Sequence, residues 1–131
     1  MGDPEIEGVA IATPVGSHCT LAMEALKANK HVLVEKPLCL SYQDAQSLVS
    51  EAAKRGLTLM CDHTFCYSGP VVALRNIVRS GVLGDLLYIN SVRTNLGLFQ
   101  KDVNVLWDLA PHDLSIAKFI LGENYDPTGL I

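Results

Sequence analysis

Residues 31–37, His-Val-Leu-Val-Glu-Lys-Pro, constrain the fold more than any other stretch of the chain. An apolar, β-branched run ends at once in an acid, a base and a ring-locked residue, so a strand delivers a lysine to its carboxyl end. A second apolar run at residues 9–14, Val-Ala-Ile-Ala-Thr-Pro, also stops at a proline. Between the two, residues 17–29 place Leu21, Ala22, Ala25 and Leu26 at helical spacing, with Ser17 as the expected N-cap. Strand, crossover helix, strand is the βαβ unit of a parallel sheet. In open α/β sheets ligands collect outside the carboxyl ends of the strands, where loop amides and helix N-termini converge. Lys36 is expected there.

The pattern continues downstream. Ser41 with Asp44 three residues on resembles a capping box, opening a helix with Ala45, Leu48, Val49 and Ala52 on one face and Gly56 at its C-terminal stop. A third apolar strand is expected at residues 57–61. Strands this uniformly apolar predict a parallel sheet covered on both faces. After His63 the character changes. Gly69-Pro70 opens a helix to about Ser80, and residues 85–96 alternate, with Ile89, Ser91, Arg93 and Asn95 on one face, as in an antiparallel strand with a wetter side. A last helix is expected to begin near Pro111 and run to Gly122. This divides the chain into a partial Rossmann-like domain, residues 1–66, and the beginning of an α/β substrate domain, residues 67–131. The fold class expected is α/β, the C-terminal half of a Rossmann-like parallel sheet followed by the start of a second α/β domain.

Composition narrows the partners. A chain of 131 residues, 49% hydrophobic, has the means for a real core. Its net charge of -4 without blocks of like charge argues against a nucleic acid or an anionic membrane surface as partner. No apolar run approaches the roughly 18 residues of a membrane span, and the acidic start lacks the character of a signal peptide, so a cytoplasmic address is expected. Cysteines 19, 39, 61 and 66 form no CxxC pair and read as reduced core thiols. Metal ligation by Cys61, His63 and Cys66 is the sharper alternative, but zinc wants a fourth ligand and a paired spacing.

Three groups carry chemistry: Lys36 at a strand end, and Asp108 with His112 spaced i, i+4. Removing hydride from a secondary alcohol requires a base for the hydroxyl proton and a cation that holds the oxygen. Histidine, titrating near neutrality, suits the first role and lysine the second. Arg93 and Asn95, facing one way, suit a grip on a carboxylate, hydroxyl or phosphate. His31, His63, Trp107 and Tyr88 read as structural.

The motifs Ala12-Thr13-Pro14, Glu35-Lys36-Pro37 and, in order downstream, Trp107-Asp108-Leu109-Ala110-Pro111-His112-Asp113 resemble those of the Gfo/Idh/MocA family, the glucose-fructose oxidoreductase and inositol dehydrogenase relatives. The resemblance covers essentially the whole chain. It implies a Rossmann domain binding NAD or NADP, an α/β domain with a large open sheet, and a sugar, polyol or nucleotide-sugar substrate. Lys36 matches the lysine of the family's EKP motif, and Asp108 and His112 match its DxxxH motif, with His112 as proton acceptor. Thr13, Pro14, His18, Glu35 and Lys36 fall where relatives approach the cofactor, while Lys36, Arg93, Asn95 and His112 are the substrate-side candidates. Residues 62–65 and 93–97 are similar to members acting on nucleotide-linked sugars.

One family feature has no counterpart among these residues. No GxGxxG occurs, so the pyrophosphate-binding turn is missing, and the chain reads as beginning mid-domain. The expectation is that it binds NAD(P) weakly or not at all on its own and lacks activity alone. A non-enzymatic, self-associating binding module derived from such a dehydrogenase is the competing reading, and a homo-oligomer is expected under both.

Overall fold

A computed structural model of the chain describes residues 2–93 and 103–122. Its elements run β1 (Gly8–Ile11), α1 (His18–Lys27), β2 (His31–Glu35), α2 (Tyr42–Arg55), β3 (Leu59–Asp62), α3 (Gly69–Arg79) and α4 (Val105–Leu121), with 3-10 turns at Val15–Ser17 and Thr64–Tyr67. The three strands form one parallel sheet in the order β1-β2-β3, with Ile11 opposite Val34 and Glu35 opposite Asp62. The fold is α/β, as the sequence predicts.

Two compact units are present. The first comprises residues 1–62 and 99–108, the second residues 63–98 and 109–131. In the first, Val32 and Val34 of β2 turn toward α1 and α2 and are buried with Ile11, Leu26, Leu48 and Ala52. The alternate residues of the strands face out: Leu33 and Met60 are each 39% exposed. Among the described residues this sheet is therefore covered on one face, not on both as the apolar strands suggest. Alternating burial, not strand composition, reveals which face is packed.

Both helices of this unit end as their residues require. Gly56 closes α2 in the left-handed region at φ 66°, with the Leu57 amide returning to the Ala52 carbonyl. Asn29, at φ 56°, does the same after α1, where the Lys30 amide reaches the Ala25 carbonyl. The Ser41 hydroxyl accepts from the Asp44 amide at 3.1 Å, the expected N-cap. Ser17 behaves differently. It is already helical at the end of a 3-10 turn, makes no side-chain cap, and donates its hydroxyl to the Pro14 carbonyl at 2.8 Å. A proline-led 3-10 turn thus starts α1 in place of a side-chain cap.

In the second unit α3 begins at Gly69-Pro70 as expected. Two expectations fail. Residues 85–93 have no regular secondary structure, because a strand must share its backbone hydrogen bonds with a neighbour and none of this unit's described residues form one. The last helix starts at Val105, not near Pro111, which lies inside it. The Asn104 side chain accepts from the Trp107 amide at 3.1 Å and its carbonyl from Asp108 at 3.1 Å, so the helix has its cap two turns earlier. Pro111 then costs one bond, to the Trp107 carbonyl.

Candidate functional site

The carboxyl ends of β1 and β2 open into a cleft of about 240 Å³ lined by Thr13, Pro14, Val15, His18, Glu35, Lys36, Pro37, Val103 and Asp108. Every cofactor-side residue expected from the sequence lies on this cleft. A larger depression, about 400 Å³, lies on the open sheet face among Val9, Ala10, Leu33 and Met60, and is almost wholly apolar. The smaller cleft holds the charged side chains Glu35, Lys36 and Asp108.

Lys36 is aimed by two neighbours. Its Nζ donates to a carboxylate oxygen of Asp108 at 2.8 Å and to the Asp108 carbonyl at 2.8 Å. With side-chain exposures of 19% and 25%, the pair is half-buried, where an ion pair is screened less than at an open surface. Glu35, just before it, accepts from the Lys36 amide through its own carboxylate at 3.2 Å. The ammonium keeps a third proton for another acceptor. The Lys36-Pro37 peptide is cis.

The Thr13 loop is held as firmly. Its hydroxyl pairs with the Ser17 hydroxyl at 2.6 Å, and the Ser17 amide donates to the Pro14 carbonyl at 3.0 Å. His18 lines the cleft yet is only 1% exposed. Both its ring nitrogens lie at hydrogen-bond distance from carbonyl oxygens, Nδ1 at 2.9 Å from Pro37 and Nε2 at 2.8 Å from Thr13.

His112 follows Asp108 by one turn of α4 and belongs to the second unit. Its ring meets that of Phe65 edge-to-face, centroids 4.8 Å apart at 89°. Phe65 also lies under the Arg93 guanidinium, 5.0 Å from ring centroid to Cζ. Arg93 Nε donates to both carboxylate oxygens of Asp113, at 2.9 and 2.8 Å, and Ser91 donates to one of them at 2.8 Å. Burial pushes the Asp113 carboxyl up, but the hydrogen bonds from Arg93 and Ser91 and the guanidinium charge outweigh it and hold the carboxyl below its ordinary range. Asn95 lies outside the described residues. Sequence reasoning gave no role to Phe65 or Asp113; their contacts cross 20 to 47 residues of chain, and no local pattern encodes such pairings.

Burial pushes the Cys39 thiol up to about 12, with neighbouring Cys19 adding to the shift, and pushes Cys61 to about 11, with Asp62 and Glu35 adding. Among the described residues no three His, Cys, Asp or Glu side chains come together to hold a metal, and no helix is long and apolar enough to cross a membrane.

Residues 1–63 match the Gfo/Idh/MocA sequence model, described as an oxidoreductase family with an NAD-binding Rossmann fold. The chain belongs to this family. It is 32% identical over 132 residues to the uncharacterized oxidoreductase YdgJ of Escherichia coli K12, covering 92% of this chain and 37% of that one. It is 29% identical to a dTDP-3,4-didehydro-2,6-dideoxy-alpha-D-glucose 3-reductase of Streptomyces violaceoruber, over 97% of this chain and 40% of the reductase. Among solved structures it resembles GenD2 from gentamicin A biosynthesis in complex with NAD, with TM-score 0.77 and 25% identity over 92% of this chain and 37% of that one. This Gfo/Idh/MocA chain spans 27–40% of the length of curated relatives it matches.

Proposed function

We propose that this chain is part of an NAD(P)-dependent oxidoreductase that oxidises a secondary alcohol of a sugar, polyol or nucleotide-sugar, or reduces the corresponding ketone. The observation that carries the reading is the Lys36-Asp108 pair on the wall of a cleft at the strand carboxyl ends. The cleft is smaller than the roughly 300–1,000 Å³ of sites that bury a whole drug-sized ligand, so it suits one end of a dinucleotide. Thr13, Pro14, His18, Glu35 and Lys36 line the part that would receive that end. Bound NAD(P) supplies the two-electron acceptor.

The chain's own residues handle the proton and the oxygen. His112 takes the hydroxyl proton as the alcohol becomes a ketone, and the Lys36 ammonium donates its remaining hydrogen to the substrate oxygen. Asp108 keeps that ammonium aimed. Arg93, anchored through Nε by Asp113, offers its terminal amines to an acidic or phosphorylated part of the substrate, with Asn95 beside it in sequence. The dTDP-sugar 3-reductase relative supports a sugar-type substrate, and GenD2, solved in complex with NAD, supports the cofactor.

The test is hydride transfer, followed through nicotinamide absorbance, by the protein expressed from its whole gene, against sugars, polyols and nucleotide-sugars. Lys36→Met and His112→Ala are each expected to lower kcat by about 10²–10⁴, the range for a positioned acid or base. Full turnover by either variant overturns the assignment. For the 131 residues by themselves, which contain no glycine-rich phosphate turn, NADH fluorescence is expected not to saturate in the micromolar range. Micromolar binding would show that the turn is dispensable.

A second reading has its own observation: the open sheet face with Leu33 and Met60 and the edge strand β1 suit a self-associating binding module. A monodisperse oligomer that never reduces NAD(P) in the whole-gene protein would favour it.

A further inference from the structure

We propose that His18 is a positioning residue that straps the two strand-end loops together and thereby sets where Lys36 stands. The family motifs leave its role open, and the sequence places it beside the cofactor. The geometry assigns it differently. A side chain that is 1% exposed, with each ring nitrogen already facing a protein carbonyl, has no nitrogen left to offer a ligand unless a strap bond breaks.

The two carbonyls belong to different loops. Thr13 follows β1, and Pro37 follows β2 directly after Lys36. The ring therefore fixes the distance between the two lips of the cleft from beneath. Neighbouring bonds hold the Thr13 lip to the Ser17 turn, so the imidazole hangs from a rigid support and its other end bears on Pro37. Carbonyl oxygens accept and cannot donate. A neutral ring serves one carbonyl with its single N–H and presents a lone pair to the other; a ring with hydrogen on both nitrogens serves both. Losing the strap leaves the Pro37 carbonyl unsatisfied in a buried place, and its cheapest remedy is for the loop carrying Lys36 to move toward water.

The consequence falls on Lys36 through the backbone, so it is read without catalysis and stands apart from the proposed reaction. In the 131-residue chain, amine acylation followed by mass spectrometry compares Lys36 with exposed Lys54 as an internal standard. His18→Leu is expected to raise the Lys36-to-Lys54 labelling ratio roughly two- to tenfold, the worth of one hydrogen bond. His18→Gln, whose carboxamide can donate to one carbonyl, is expected to fall between the two. A folded His18→Leu variant with the wild-type ratio and unchanged amide shifts at Lys36 and Leu38 overturns the proposal. If that variant does not fold, the wild-type ring decides: exchange-protected hydrogens on both ring nitrogens, with through-bond couplings to Thr13 and to Pro37, support the strap, and a ring lacking either coupling overturns it.

Discussion

Lys36 stands at the end of a strand whose inward residues, Val32 and Val34, are packed under α1 and α2; Arg93 stands in a stretch without regular structure, held by one carboxylate and one ring. The first unit aims its chemistry with a core, the second with surface contacts. Its buried apolar residues among those described are Cys66 and Ile120, while Leu87, Tyr88 and Val92 are 87%, 80% and 74% exposed. The difference bears on function. A group on a strand end inherits the rigidity of everything packed beneath it, whereas one held by a few exposed contacts moves at little cost.

Core deletion gives the largest expected effect. Leu26→Ala, at a fully buried position of the first unit, is expected to destabilise the chain by about 2–5 kcal/mol. Leu114→Ala in the second unit, 44% exposed, is expected to cost no more than about 1 kcal/mol. Urea denaturation, followed by a probe in each unit, measures both. Equal losses would mean that the second unit owes its stability to the first unit's kind of packing.

Helix starts give the next contrast, within the first unit alone. Ser41→Ala removes a side-chain cap and is expected to cost about 1 kcal/mol. Ser17→Ala removes no cap, and its hydroxyl serves only the exposed Thr13 turn, so a few tenths of a kcal/mol is expected. Reversal of the order would show the Thr13 lip to be held by Ser17 more than by His18.

These contrasts also mark where sequence reading works. The strand at residues 31–35, the Ser41 cap and the Gly56 stop are local consequences of residue type, and each was legible. So was the lysine at a strand end. The pairing of Lys36 with Asp108 crosses 72 residues, and only the order of two motifs hinted at it. The start of α4 was misread because Pro111 is a strong local signal for a first turn, while Asn104 supplies a cap that begins the helix sooner. Residues 85–93 alternate like a strand, but alternation supplies a face and not a partner. Nothing in the sequence around His18 announces that both its ring nitrogens meet carbonyls of residues 19 and 5 positions away.

Acid gives the smallest effect and the finest test of the comparison. The Asp113 carboxyl is held below its ordinary 3.8 by Arg93 and Ser91 against the opposing effect of burial. A carboxyl depressed in the folded state favours folding fully above the unfolded value, and that contribution vanishes as pH falls through the depressed value. Arg93→Gln should therefore lower stability at neutral pH, by about 1 kcal/mol for a single half-buried pair, and make no difference well below pH 3.8. On acidification, nuclear magnetic resonance signals of Phe65 and the Arg93 Nε–H are expected to shift while the methyls of Leu26 and Leu48 stay native. The clasp, carried by one ion pair, should then open before the core that aims Lys36 does. Simultaneous loss of both sets would mean that Arg93 is braced by more than Asp113, Ser91 and Phe65, and that the second unit is as cooperative as the first.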